Sequence, residues 1–118
     1  MTKAHETMQI WIFLVCAARK RKTYTYSDIK NILNLKVANQ NIGKEYLDSI
    51  RSYCDKKGYP PLDVLVVNKD TGLPGAGYVP RKTVDQDRAD VYEYKYKWFA
   101  IEPPEISDFE NAIKNKRR

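Results

Sequence analysis

The first stretch of the chain constrains the fold most, because it predicts a helix that is apolar on nearly every side. Between His5 and Arg19, apolar residues recur at the three- and four-residue spacing of an α-helix. The stripe and the residues that widen it are Met8, Ile10, Trp11, Ile12, Phe13, Leu14, Val15 and Ala18. A helix of this kind is stable in water only when other elements cover it. We therefore predict that it lies at the centre of the core.

Two further helices are predicted in the first half of the chain. Thr25 or Ser27 is placed to cap the second helix, which ends near Asn34. After a turn, the third helix runs from about Asn39 to Lys57, and Gly58 ends it.

A strand and a glycine-rich turn follow the third helix. Pro60 and Pro61 exclude its continuation, and Leu62–Val67 is a β-branched run typical of a buried strand. Residues 68–77 are turn-forming and precede a short return strand at Tyr78–Val79. Three helices followed by a hairpin is the order of a winged helix-turn-helix. The predicted fold is therefore α+β and mostly helical, with a winged helix-turn-helix core and a β-hairpin wing.

The C-terminal part, residues 81–118, is too apolar to remain in water. Residues 85–100 fit a strand through the alternation of their aromatic side chains, but acidic residues at the start and lysines near the end favour a helix. A last amphipathic helix is predicted from Ser107. We expect this part to pack on the first helix as a helical extension, within one domain spanning 1–118 whose winged-helix core covers about 5–80.

Composition argues against several classes of protein. No apolar run approaches the length of a membrane span, and the N-terminal run does not end like a signal peptide, so we expect a cytoplasmic protein. Cys16 and Cys54 lie in apolar patterns and are interpreted as buried thiols, and His5 is the only histidine. A structural zinc site and a His-dependent triad are therefore not expected. The sequence predicts a binding protein without metal, cofactor or enzymatic activity.

Positive charge is concentrated in the first half of the chain. Residues 1–60 carry eleven Lys and Arg against five Asp and Glu, whereas residues 61–118 carry ten of each. The formal net charge of +6 therefore comes entirely from the first half. Such an asymmetry favours a surface that faces a polyanion, although solvated lysine-rich helices also occur.

The segment from Lys22 to Gly77 resembles the DNA-binding domain of O6-alkylguanine-DNA alkyltransferases and alkyltransferase-like proteins. Thr25–Ile29 reads Thr-Tyr-Ser-Asp-Ile and is similar to the first block of the family, and Ile42–Gly43 falls at the spacing of its Val-Gly pair. Residues 64–68 resemble the strand that carries the catalytic site. The resemblance implies a winged-helix fold and contact with DNA.

Two departures from the family pattern bear on function. Asn68 stands where the family has its reactive cysteine, and the chain contains no Pro-Cys-His-Arg motif. Gln40 stands at the position of the arginine that fills the gap left by a flipped nucleotide. The resemblance therefore implies a non-catalytic relative, and it puts base flipping in doubt.

The resulting hypothesis is a small, non-enzymatic regulator or architectural protein bound to double-stranded DNA. Its third helix would enter the major groove and its wing would contact the backbone. The candidate DNA-contacting residues are Tyr26, Ser27, Asn39, Gln40, Asn41, Lys44, Arg51 and Lys69. For several of them a plainer role remains open: Tyr26 as a core residue, Ser27 as a helix cap, and the others as solvated polar side chains.

The competing hypothesis is a protein-interaction module or inhibitor of the phage or mobile-element type on the same scaffold. The chain has nine Tyr and two Trp, many of them beyond residue 77, where the charges balance. Tyr and Trp are enriched at protein interfaces. The candidate interface residues are Tyr92, Tyr96 and Trp98.

Overall fold

A computed structural model describes residues 2–116 of the protein. Within that range the chain forms six α-helices and one pair of short strands. The helices are α1 (Lys3–Arg19), α2 (Tyr26–Ile32), α3 (Asp48–Lys57), α4 (Val84–Glu93), α5 (Lys97–Ala100) and α6 (Ile106–Lys116), and the strands are β1 (Tyr24–Thr25) and β2 (Val66–Val67). Shorter helical segments are a 3₁₀ turn at Asn39–Asn41, a π-helical segment at Gly43–Leu47 and a 3₁₀ segment at Leu62–Leu65. None of the helices in this range is long and apolar enough to cross a membrane.

Helix α1 occupies the centre of the core, as the sequence predicts. It packs against α3, α4, α5, α6 and the 3₁₀ segment at 62–65. Trp11 meets Tyr53 of α3 and Trp98 of α5 edge to face, with ring centroids 5.6 and 6.1 Å apart. Ile12 and Cys16, one turn apart, lie on the side of α1 that faces solvent. The prediction that Cys16 is buried is therefore wrong, whereas Cys54 is fully buried.

Local signals account for the ends of the next two helices. Thr25 caps α2 through a capping box: its hydroxyl accepts the Asp28 N–H, and the Asp28 carboxylate accepts the Thr25 N–H. The predicted third helix is confirmed as nearly continuous helical structure from Asn39 to Lys57. Its first turns are 3₁₀ and π-helical, and Gly58 ends it in the left-handed conformation with φ of 74°.

The predicted winged helix-turn-helix with a β-hairpin wing is wrong. Leu62–Leu65 coils into a 3₁₀ segment, so only Val66–Val67 remains extended. This strand pairs in parallel with Tyr24–Thr25, which precedes α2. Parallel strands need a long crossover, and here it is supplied by the chain between them. The fold is a helical assembly around a two-stranded parallel sheet.

The segment predicted to form the wing folds into a compact loop instead. The Asn68 N–H donates to the Leu73 carbonyl and the Gly72 N–H to the Asn68 carbonyl, which closes a tight turn at the start of the loop. Pro74 has no N–H to offer a ladder, and Tyr78–Val79 forms no strand. Residues 68–78 are named the loop 68–78 below.

The C-terminal part packs onto the core and is helical where the sequence left helix and strand open. Residues 84–93 and 97–100 form α4 and α5, with a turn between them. The indole N–H of Trp98 donates to the Val91 carbonyl at 2.9 Å, and both side chains are buried. Phe109 of α6 is fully buried, and α6 lies against α1 and α3.

Candidate functional site

A cleft of about 630 Å³ lies between α2, the start of the third helix and the loop 68–78. Three segments that are distant in sequence supply its walls. Its lining includes Thr25, Tyr26, Ser27, Asn39, Gln40, Gly43, Lys44, Asp48, Asp63, Asn68, Lys69, Gly75, Gly77 and Tyr78. Most of these side chains carry hydrogen-bonding groups. The cleft is therefore suited to a polar partner.

Tyr26 connects α2 to the loop 68–78. Its hydroxyl accepts the Gly75 N–H at 2.9 Å, and burial raises the pKa of this phenol. The hydroxyl thus stays protonated at physiological pH, and it fixes the position of the loop at the edge of the cleft. The ring is half-buried, and the residue also lines the cleft.

Ser27 and Asn39 form a polar bridge at the rim. The Asn39 side-chain amide donates to the Ser27 hydroxyl at 2.8 Å, and both residues are exposed. Because Thr25 is the cap of α2, Ser27 is not the cap and its hydroxyl faces the cleft. Gln40, Lys44 and Lys69 are also exposed on the cleft wall.

Asp63 is a buried acid on the wall of the cleft. Its Oδ1 atom has no hydrogen-bond partner among the described residues, and its Oδ2 atom lies 3.7 Å from the Arg51 guanidinium. Burial raises the pKa of this carboxyl to about 7, and the nearby Arg51 only partly opposes the increase. At neutral pH, Asp63 therefore exists as a mixture of its neutral and ionised forms.

Two of the eight predicted DNA-contacting residues lie outside the cleft. Asn41 is exposed on the 3₁₀ turn but does not line the cleft. Arg51 is held between Asp55 at 3.0 Å and Asp63, and it lines a second cavity of about 740 Å³ beside α3 and α6. Its guanidinium also lies over the Tyr78 ring, 5.2 Å from the centroid. These contacts leave Arg51 tied to the protein.

The three aromatic residues proposed as a protein interface do not form one exposed patch. Trp98 is buried, Tyr92 is half-buried, and only Tyr96 is largely exposed. Trp98, the largest side chain of the candidate protein interface, is therefore part of the core and is not available to a partner.

Asp87 is a residue that sequence reasoning missed. The sequence predicts only that the acidic start of residues 85–100 begins a helix, but the fully buried carboxylate of Asp87 accepts three hydrogen bonds. The donors are the Tyr78 hydroxyl and the Arg81 and Lys82 N–H groups, at 2.8, 2.8 and 3.0 Å. This network fixes the segment that follows the cleft, and no local sequence signal indicates which chain segment an acid at a helix start will hold.

The close contact between Gly75 and Tyr26 gives a test of how the cleft is built. A Cβ atom at Gly75 would lie 2.8 Å from the Tyr26 hydroxyl oxygen. We expect Gly75→Ala to disrupt this hydrogen bond and to lower the free energy of unfolding by about 1–3 kcal/mol, as measured by urea denaturation.

Gly77→Ala is the matched control, because a Cβ there meets no atom within 4 Å. It should leave stability unchanged or raise it by up to about 1 kcal/mol, since alanine restricts the unfolded chain. Equal losses in the two variants would contradict this account of the loop.

The cleft is lined by hydrogen-bonding side chains, and the thiols of the two cysteines lie outside it. Cys16 and Cys54 do not line it, and burial raises the pKa of the Cys54 thiol to about 12, so that this thiol stays protonated. Within residues 2–116, no group of three or more His, Cys, Asp or Glu side chains is placed to hold a metal ion.

In comparisons with known proteins, no family model, no curated protein and no solved structure matches this chain.

Proposed function

We propose that this is a cytoplasmic, non-enzymatic protein that binds double-stranded DNA through the face that surrounds the cleft. The observation that carries the proposal is that most of the candidate DNA-contacting side chains meet at one site. Six candidate side chains from three segments of the chain line one polar cleft: Tyr26, Ser27, Asn39, Gln40, Lys44 and Lys69. The resemblance of residues 22–77 to alkyltransferase-like proteins also favours contact with DNA. Because Asn68 stands in place of the reactive cysteine, we propose binding without alkyl transfer.

Electrostatics support a polyanionic partner. Lys44 of the third helix and Lys69 of the loop 68–78 both line the cleft, so a phosphate backbone bound there can meet both ammonium groups. The lining also holds two acids, Asp48 and Asp63. Burial raises the pKa of Asp63 to about 7, so Asp63 adds less than a full negative charge at neutral pH. Binding of this kind weakens steeply as the salt concentration rises.

Exposed amide groups supply the means to discriminate between bases. Gln40 and Asn39 sit on the first turn of the third helix, and an Asn or Gln amide can pair with adenine through two hydrogen bonds in the major groove. The bond from Asn39 to Ser27 fixes one amide, whereas Gln40 is exposed and has room to reach a base edge. We therefore place Gln40 on the base edges and the lysines on the phosphates.

The first test is charge reversal at Lys44. Lys44→Glu should weaken binding to any 20-base-pair duplex by about tenfold at low salt, and it should reduce the salt slope by about one. The measurement is fluorescence anisotropy at several salt concentrations. Lys114→Glu on α6 changes the net charge equally, is exposed and lies outside the cleft, so it should leave the salt slope unchanged.

Gln40→Ala separates base recognition from phosphate contact. It should change the preferred base at one or two positions of a randomised duplex pool and leave the salt slope unaltered. Absence of duplex binding at low salt, or equal losses for Lys44→Glu and Lys114→Glu, would refute the proposal.

A further inference from the structure

A second charged surface lies away from the cleft, where the end of α1 meets the turn between α4 and α5. Two segments form it: Arg19–Lys22 and Lys95–Lys97. Together they contain six Lys and Arg residues and no Asp or Glu. We name this pair of segments the basic–aromatic surface. None of its residues lines either cavity described above.

Direct contacts join the first segment to Tyr96 and to the end of α4, just before the second segment, across about 75 residues of sequence. The Arg19 guanidinium lies over the Tyr96 ring, 4.1 Å from its centroid. Arg21 pairs with Glu93 at 3.4 Å and lies 5.8 Å from the centroid of the Tyr92 ring. The arrangement is therefore a defined tertiary surface and not two independent charged linkers.

The backbone at this surface adopts an unfavourable conformation. Arg21 and Lys95 have positive φ values of 55° and 53°, and only one other non-glycine residue in the described range, Asn34, does so. A left-handed conformation at a basic residue with a Cβ atom costs free energy, and such residues occur often at functional sites. Here the conformation ends α1 and turns the chain between α4 and α5, so both basic segments are presented beside each other.

Tyr96 gives the surface a second recognition element. It is 70% exposed although it is a large aromatic residue, and Arg19 stacks on one side of its ring. Lys and Arg side chains attract any polyanion, and an exposed aromatic ring adds free energy when the partner offers a flat, unpaired base. In duplex DNA the bases are stacked on each other and are not available to this ring.

We propose that the basic–aromatic surface binds single-stranded nucleic acid, with Tyr96 stacking on a base and the surrounding lysines and arginines on the phosphates. This site is separate from the cleft, and the proposal does not depend on duplex binding there. It gives the protein a binding site for an unpaired strand outside the cleft.

The experiment measures binding of a fluorescein-labelled twelve-nucleotide oligo(dT) to the full-length protein by anisotropy. Tyr96→Ala should weaken binding about five- to hundredfold, the range measured for the loss of one base–aromatic stack. Tyr96→Trp should restore it. Lys95→Glu should weaken binding and lower the salt slope by about 0.7, the value per phosphate for a single strand.

Matched controls separate this site from the cleft and from general effects of charge. Lys114→Glu should leave oligo(dT) binding unchanged. Tyr96→Ala should not alter binding of the 20-base-pair duplex or of heparin, which has charge but no bases. Because Tyr96 is exposed, the unfolding midpoint of the variant should match that of the parent protein.

Several outcomes would overturn the proposal. One is oligo(dT) affinity that is unchanged in both Tyr96→Ala and Lys95→Glu. Another is a Tyr96→Ala loss that is equally large for heparin, which would make the ring a support for Arg19. A third is binding to phosphatidylserine vesicles that depends on Tyr96 while oligo(dT) does not bind, which would assign the surface to membranes. Failure of the duplex proposal would show in the duplex experiments, as absent binding at low salt or as equal losses for Lys44→Glu and Lys114→Glu, and not in the oligo(dT) measurements.

Discussion

A chain truncated after Pro80 is expected to lose cooperative folding. The removed part contributes Val91, Trp98 and Phe109, each with less than 5% of its surface exposed. Loss of a large buried apolar side chain costs about 2–5 kcal/mol, so three of them amount to the whole net stability of an ordinary domain. Helix α1 would also expose the faces that now pack against α4, α5 and α6.

The measurement is urea denaturation followed by tryptophan fluorescence, together with the hydrodynamic radius of the fragment. A graded form of the test uses the full chain: Phe109→Ala should lower the free energy of unfolding by about 3–5 kcal/mol. Phe99→Ala, at a residue 61% exposed, should lower it by less than 1 kcal/mol. A monomeric fragment that unfolds cooperatively with unchanged stability would show that the C-terminal part is an appendage.

The sequence predicts the helices well because their signals are local. Apolar periodicity and the glycine at position 58 define the third helix, and the acidic start of residues 85–100 identifies α4. Excess apolar surface on α1 likewise predicts a covering by the C-terminal part. These features depend on residues within a few turns of each other, or on total apolar area.

The predicted wing is wrong because the contacts that decide the structure of this segment are made by residues distant in sequence. A β-branched run such as Leu62–Val67 is buried equally well as a 3₁₀ segment or as a strand, and periodicity does not separate the two. The partner of Val66–Val67 is Tyr24–Thr25, about forty residues earlier, and a parallel pairing has no turn signature. Glycine and proline mark a turn but do not specify whether a ladder follows.

The sequence likewise predicts the part of the candidate site that depends on local signals and not the part that depends on tertiary contacts. The sequence indicates Asn39, Gln40 and Lys44 because they begin a helix. That they line the same cleft as Lys69 is a result of tertiary structure. Asp63 was missed because a single acid inside an apolar run has no recognisable pattern. Its burial beside Arg51 follows from the packing of α3 on the 3₁₀ segment.

Asp63 makes the stability of the protein depend on pH. Its carboxyl has a pKa of about 7 in the folded protein and about 4 in the unfolded chain. Between these values the folded protein holds a proton that unfolding releases. The free energy of unfolding therefore falls as the pH rises from about 4 to about 7, and this contribution is lost above the folded pKa.

The charged and titratable groups around Asp63 determine how the effect is measured. Arg51, Asp55 and Asp48 face it from α3, and Tyr26 and Tyr78 face it from α2 and the loop 68–78. The pKa of Asp55 is lowered, chiefly by hydrogen bonds from Arg81 and Arg51 that outweigh its partial burial, so this group changes stability in the opposite direction. A comparison with Asp63→Asn at each pH cancels these other groups, because they are present in both proteins.

We expect the stability of Asp63→Asn relative to the parent protein to rise by on the order of 3 kcal/mol between pH 5 and pH 8. The parent must bury an ionised carboxylate at the higher pH, whereas the amide remains neutral throughout. Urea denaturation at both pH values gives the difference, and Asp70→Asn in the exposed loop 68–78 serves as the control with no such change. A constant difference between Asp63→Asn and the parent would show that Asp63 is ionised at both pH values. Since Asp63 lines the cleft, the proposed duplex binding should strengthen as the pH falls from 8 to 6, because the neutral acid no longer repels a phosphate backbone.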